Sequence, residues 1–151
     1  MPGADLEAGA SAFFVPDHQR CDELWVAVER VASSGDRAAS ATAWKAFEDA
    51  MDRHLRMEED VLFPALDVAT GMGGAGPIAV MLHEHRQMRA LLAQMAACVR
   101  AGQLDALLDH GDTLMMLIQQ HNSKEECIVY TTADDALGSS WSSVAVKLAK
   151  Y

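Results

Sequence analysis

The sequence predicts an all-α fold, an up-down-up-down four-helix bundle with a short extra C-terminal helix. Composition is the first reason. Half of the 151 residues are hydrophobic but only 6 % are aromatic, and Ala, Leu and Met supply much of the rest, residues that favour helices over strands. Periodicity is the second, because apolar residues recur at three- and four-residue steps in four long segments. Glycine-rich and polar breaks between those segments are the third. A chain of this length fits one domain with a sizeable core, and we divide it into an N-terminal tail (1–14) and a bundle domain (15–151).

Helix one is expected to enter at Pro16-Asp17 and to carry Cys21, Leu24, Trp25, Val28 and Val31, ending at Ser33-Ser34-Gly35-Asp36. Helix two starts near Ala39 and runs through Trp44, Phe47, Met51, Leu55, Leu62 and Leu66, with Pro64 expected to kink it or begin its end. Gly71 to Pro77 is a loop. Helix three runs from Pro77, a good first-turn residue, to Arg100, and Ala101-Gly102 closes it. Helix four runs from Leu104 through Leu107, Leu114, Leu117 and Ile118 to the region of Tyr130. Ser139 to Lys150 forms the last, short helix, with Trp141, Val144, Ala145 and Leu148 as one apolar stripe expected to pack across the bundle.

A net charge of −10 argues against a nucleic-acid partner, since phosphate binding needs clustered Lys and Arg. The three cysteines, Cys21, Cys98 and Cys127, make neither a disulfide framework nor a C-x-x-C pattern and are expected as buried thiols in a reducing cytosol. Met1-Pro-Gly-Ala-Asp5 shows no signal peptide, and no run reaches the ~20 apolar residues of a membrane span. The expectation is a soluble cytoplasmic protein without a membrane partner.

One word occurs twice: His54-x3-Glu58-Glu59 with Phe63 five residues after the first Glu, and His121-x3-Glu125-Glu126 with Tyr130 in the same place. Residues i and i+4 lie within roughly 40° of each other on a helix, so each pair makes a two-toothed claw for a metal. In an antiparallel bundle a shared site needs ligands early in the odd helices and late in the even ones. His18 and His85 meet the first demand; His54, Glu58, His121 and Glu125 meet the second. Burying six such groups without a metal would be costly. His85 shares its face with Ile78, Met81, Leu82, Met88 and Leu92, so it points inward, and His83 is a surface residue or one that assists His85. Glu58 and Glu125 share apolar faces, the latter with Ile118 and Ile128. Glu126 remains an alternative to Glu125 after a small rotation. His110, at the far end, is expected on the surface.

Together these landmarks resemble the hemerythrin-like (HHE cation-binding) family, bacterial single-domain type, over about Val15 to Leu137: Asp17-His18, His54-x3-Glu58-Glu59-x2-Leu62-Phe63-Pro64, Gly76-Pro77 with Met81 and Glu84-His85, and His121-Asn122-x-Lys124-Glu125-Glu126 ending in Tyr130. The resemblance implies two non-haem Fe ions, bridged by carboxylates and an oxo or hydroxo group, on His18, His54, Glu58, His85, His121 and Glu125. Imidazole and carboxylate ligands also suit Mn or Zn as substitutes. Oxygen-carrying hemerythrins supply a fifth histidine one turn further along helix three, where this chain has Arg89, and they place the last carboxylate at the position of Glu126. Four His and two bridging Glu leave roughly one open position per iron. The implied partner is a small diatomic or anionic ligand, O2 or NO. The implied role is binding or sensing, with iron handling or a nitrosative or oxidative stress response as its setting. No Ser/His/Asp or Cys/His arrangement and no nucleotide loop points to a dedicated enzyme. A di-iron enzyme acting as NO reductase, peroxidase, oxidase or iron–sulfur repair factor is the alternative, and the oligomeric state is left open.

Overall fold

The computed structural model describes residues 8–151. The first half of the expected tail, where no signal peptide was expected, lies outside the described residues. Among the described residues all regular structure is helical. Helix α1 spans Ala10–Ser33, α2 Arg37–Met57, α3 Phe63–Thr70, α4 Pro77–Ala101, α5 Leu104–Lys124, α6 Tyr130–Leu137 and α7 Trp141–Leu148. Two π-helical turns, Glu58–Leu62 and Glu125–Val129, join α2 to α3 and α5 to α6 without a break. No helix is long and apolar enough to cross a membrane.

Helix α1 begins at Ala10, six residues before the expected entry, and passes through Pro16. Proline weakens a helix interior by removing one donor. Here Ala10 and Phe14, both fully buried, hold the preceding turn in the core. The Ser11 amide and hydroxyl also donate to the Asp134 carboxylate at 3.2 and 2.6 Å. Asp36 caps α2 by accepting from the Ala39 amide at 2.9 Å. Gly102, at φ 68°, closes α4 in the left-handed conformation that glycine adopts without strain. The fourth long helix does not stop near Tyr130; it continues to Leu137.

The second half of the chain repeats the first at a constant step of 67 residues. Helices α1 and α4 start at 10 and 77, α2 and α5 at 37 and 104, the π turns at 58 and 125, and α3 and α6 at 63 and 130. The fold is thus two like helical hairpins. Helix α1 packs on α2 and α4 on α5, while α1 also meets α5 and α2 meets α4. Side chains are exchanged between halves to fill one core. Trp44 in the first hairpin corresponds to Gly111 in the second, and the Trp25 ring lies where a Gly111 side chain would be, within 2.0 Å of a Cβ placed there.

Two apolar clusters divide the interior. One holds Trp25, Trp44, Phe47, Met95 and Leu114 at the hairpin-loop end. The other holds Phe14, Phe63, Met81 and Tyr130, capped by Trp141, Val144 and Leu148 of α7. Between them lies a polar layer.

Candidate metal centre

The polar layer contains His18, His54, Glu58, His85, His121 and Glu125, each at most 4 % exposed. The expected six residues therefore come together at one level, two from the odd long helices α1 and α4 and four from the late ends of α2 and α5 and their π turns. His18 and His85, His54 and His121, and Glu58 and Glu125 are related by the same 67-residue step.

The π turns set the carboxylates. In each, the amide five residues on donates to the glutamate carbonyl: Phe63 to Glu58 and Tyr130 to Glu125. A π turn inserts one residue into an α-helix and shifts the buried face behind it. Val129 is accordingly buried at 2 %, whereas Ile128, expected beside Glu125, is 51 % exposed. The same shift turns Cys127 outwards. The expectation of three buried thiols fails there, while Cys21 and Cys98 are buried.

The imidazole Nε2 atoms converge on the two glutamates. Those of His54 and His85 lie 2.9 and 3.1 Å from Glu58 Oε1 and Oε2, and those of His18 and His121 lie 3.1 and 3.0 Å from Glu125 Oε1. Only the His18–Glu125 contact has hydrogen-bond geometry. The Nε2 atoms of His54, His85 and His121, with Glu58 Oε2 and Glu125 Oε2, are buried and lack a properly aligned partner. Orphaned buried polar atoms are rare, and five converging on one layer fit a cation. The ligand atoms fall into two groups, His18, His54, Glu58, Glu125 and Glu58, His85, His121, Glu125, each with all its atoms within 4.8 Å of one another. Both groups share the two glutamates.

Each histidine is held from behind by a second carboxylate, which the sequence reading missed. Nδ1 of His18 meets Glu126 at 2.9 Å, that of His54 meets Asp17 at 2.8 Å, that of His85 meets Glu59 at 2.9 Å and that of His121 meets Glu84 at 3.0 Å. Such partners fix the tautomer, leave Nε2 free to face a metal and raise the basicity of the ring. Glu126 is therefore occupied behind His18 and does not stand in for Glu125. His83 is exposed, and the residue held behind His85 is Glu59 instead. His110 is partly exposed. The signal for these carboxylates was present: Asp17-His18 and Glu84-His85 both place an acidic residue before a histidine at the 67-residue step, and Glu58-Glu59 and Glu125-Glu126 are an identical pair.

Charge and protonation follow from the geometry. Burial alone would strip the proton from His54, yet the charge of Glu58 and the bond to Asp17 hold its pKa well above the ordinary histidine value. Burial likewise opposes protonation of His85, and the Glu58 carboxylate facing Nε2 with the Glu59 carboxylate accepting from Nδ1 outweigh it, raising the pKa to about 9. Glu58, despite burial, is held well below the usual carboxylate range, chiefly by His54. The Tyr130 hydroxyl donates to Glu58 Oε1 and Glu125 Oε1, and it lies 3.0 Å from His18 Nε2. Burial and both glutamate charges keep that hydroxyl protonated. Its counterpart in the first half is Phe63, so only one side of the centre carries a hydroxyl.

The expected vacancy at Arg89 is a strap. Arg89 Nη1 bonds Asp52 at 2.9 Å and Nη2 bonds Glu59 at 3.2 Å, on the outer side of His85. A cavity of about 10 Å³ lies on the other side of the centre, against His18, His54 and His121. That is near the smallest space that holds one water. The larger clefts lie around α7, away from the histidines.

Comparison with known proteins agrees with this geometry. Residues 10–133 match the family model described as the hemerythrin HHE cation binding domain. Over 47 residues the chain is 38 % identical to the iron-sulfur cluster repair protein DnrN of Neisseria gonorrhoeae, a stretch covering 31 % of this chain and 30 % of that protein. No solved structure matches.

Proposed function

This chain belongs to the hemerythrin HHE cation-binding domain family, and on that premise we propose a non-haem di-iron protein that binds or senses O2 or NO. Its setting in this reading is iron handling or the response to nitrosative or oxidative stress. The single observation that carries the reading is that two ligand groups share Glu58 and Glu125. His18 and His54 would hold one ion, His85 and His121 the other, and the two glutamates would bridge them. Alternating up and down helices bring the four ligand-bearing ends to one level. Imidazole and carboxylate in this ratio suit iron, with Mn or Zn as substitutes.

When bound, the iron pair supplies redox change and open coordination positions for a small ligand. The chain supplies the rest. Asp17, Glu59, Glu84 and Glu126 orient the four rings. Tyr130 offers a buried hydrogen-bond donor at the centre. The two apolar clusters exclude bulk water, and a cavity of about 10 Å³, near the size of one water, lies against the histidines. The unpaired thiols fit a reducing cytoplasm.

Anaerobic reconstitution with ferrous iron, followed by O2 or NO, tests the reading. Two irons per chain and a spectral change with either gas are expected; fewer irons, or no change with either, would refute it. A second reading is a di-iron enzyme, such as an NO reductase, a peroxidase, an oxidase or an iron–sulfur repair factor. The 47-residue likeness to DnrN favours the repair role among these. Multiple-turnover consumption of NO or peroxide separates that class from binding alone.

A further inference from the structure

The 67-residue step makes the bundle nearly symmetric, and the places where the symmetry fails are informative. The face between α2 and α4 corresponds to the face between α5 and α1. On the first, Arg89 of α4 ties Asp52 of α2 to Glu59 of the π turn, and Leu55 is buried at 1 %. On the second, the equivalent positions are Asp22 for Arg89, Gln119 for Asp52, Glu126 for Glu59 and Asn122 for Leu55. Among the described residues no Lys or Arg pairs with Glu126, whereas Asp17, Glu59 and Glu84 are tied to Arg20 and Arg53, to Arg89 and to Lys124 respectively.

The cavity lies within the bundle, walled by Cys21, Leu55 and Met88 beside His18, His54 and His121. Of its lining residues Asp22 is exposed and Asn122 half-buried, so its outlet is on this unstrapped face between α1 and α5. We propose that exogenous ligands reach the centre between α1 and α5 through this port, and that Asp22 with Glu126 selects neutral diatomic ligands over small anions. The proposal rests on the di-iron reading and narrows its ligand class. Asp22 lines the opening and the Glu126 charge acts close beside it; together they repel an approaching anion and leave O2 or NO unaffected. Burial and the Glu126 charge both push the Asp22 pKa upwards, which reflects the same crowding of negative charge. On the opposite face the Arg89 strap, bonded to Asp52 and Glu59, closes the equivalent route.

Two substitutions at the exposed Asp22 test this, with two independent readouts. Asp22→Asn removes one charge. It should speed azide binding to the ferric iron-loaded protein roughly fivefold, the Boltzmann factor for one unit charge at contact distance in water, while NO binding to the ferrous protein changes less than twofold. Asp22→Arg transplants the strap. It should slow NO association severalfold and, in the metal-free protein, slow labelling of Cys21 by methyl methanethiosulfonate to a similar degree, read by peptide mass and compared per thiolate from the pH dependence, because the Asp22 charge itself raises the Cys21 pKa. Equal acceleration of NO and azide in Asp22→Asn overturns the charge selection. Unchanged NO association and Cys21 labelling in Asp22→Arg overturn the port. Fewer than two irons per chain would remove the di-iron reading alone, because the labelling experiment needs no metal.

Discussion

Replacing Glu84 tests how the histidines are held. Glu84 is 9 % exposed, accepts from His121 Nδ1 at 3.0 Å and is paired with Lys124. Glu84→Leu leaves a buried ring N–H without a partner, a loss of about 1–3 kcal/mol. The ring is then free to rotate, and losing such a supporting partner typically lowers metal affinity 10–100-fold, or roughly 1.4–2.7 kcal/mol. Glu84→Gln keeps an acceptor oxygen in place, so its loss should be the smaller. The assay is competition for the metal against a chelator of known affinity, beside thermal melts of metal-free and loaded protein. Wild-type affinity in Glu84→Leu would refute the claim that the outer carboxylates hold the rings.

Three more outcomes follow from named contacts. Gly111→Ala puts a methyl group within 2.0 Å of the Trp25 ring, and such overpacking should cost about 1–3 kcal/mol, lowering Tm by several degrees; an unchanged Tm would contradict the exchange of bulk between hairpins. Tyr130→Phe removes a donor to two buried carboxylates, about 1.5–3 kcal/mol for a bond to a charged group, and the Tm drop should be larger without metal than with it, since metal satisfies the same oxygens. Metal uptake should release protons, because His85 with a pKa of about 9 is protonated at pH 7.5 in the metal-free protein and must lose that proton to bind. The release should diminish as pH rises through 9, and a weakly buffered indicator titration that shows no acidification at pH 7.5 would count against it.

The six converging residues were legible because an α-helix places i and i+4 together and an antiparallel bundle joins early and late helix ends. What escaped sequence reading has physical causes. The π turns depend on a backbone bond pattern, i to i+5, that side-chain periodicity does not encode, and so Ile128 was assigned inward and Cys127 buried. The start of α1 escaped because Pro16 looks like an entry; burial of Phe14 and the Ser11–Asp134 bonds override it. The outer carboxylates were hidden by a focus on single faces. Glu59, Glu84 and Glu126 reach across to rings on other helices, so their role appears only once the bundle is assembled. The 67-residue step is present in the residue numbers of every site pair, His18 and His85, His54 and His121, Glu58 and Glu125.

The central claim is that Glu58 and Glu125 are shared by two metal ions. Magnetic susceptibility of protein loaded with two ferric ions per chain addresses it directly. Bridged ions should couple antiferromagnetically, giving a moment well below that of two isolated ions and falling as temperature drops. A moment equal to two independent high-spin ions, with two irons bound, would contradict it.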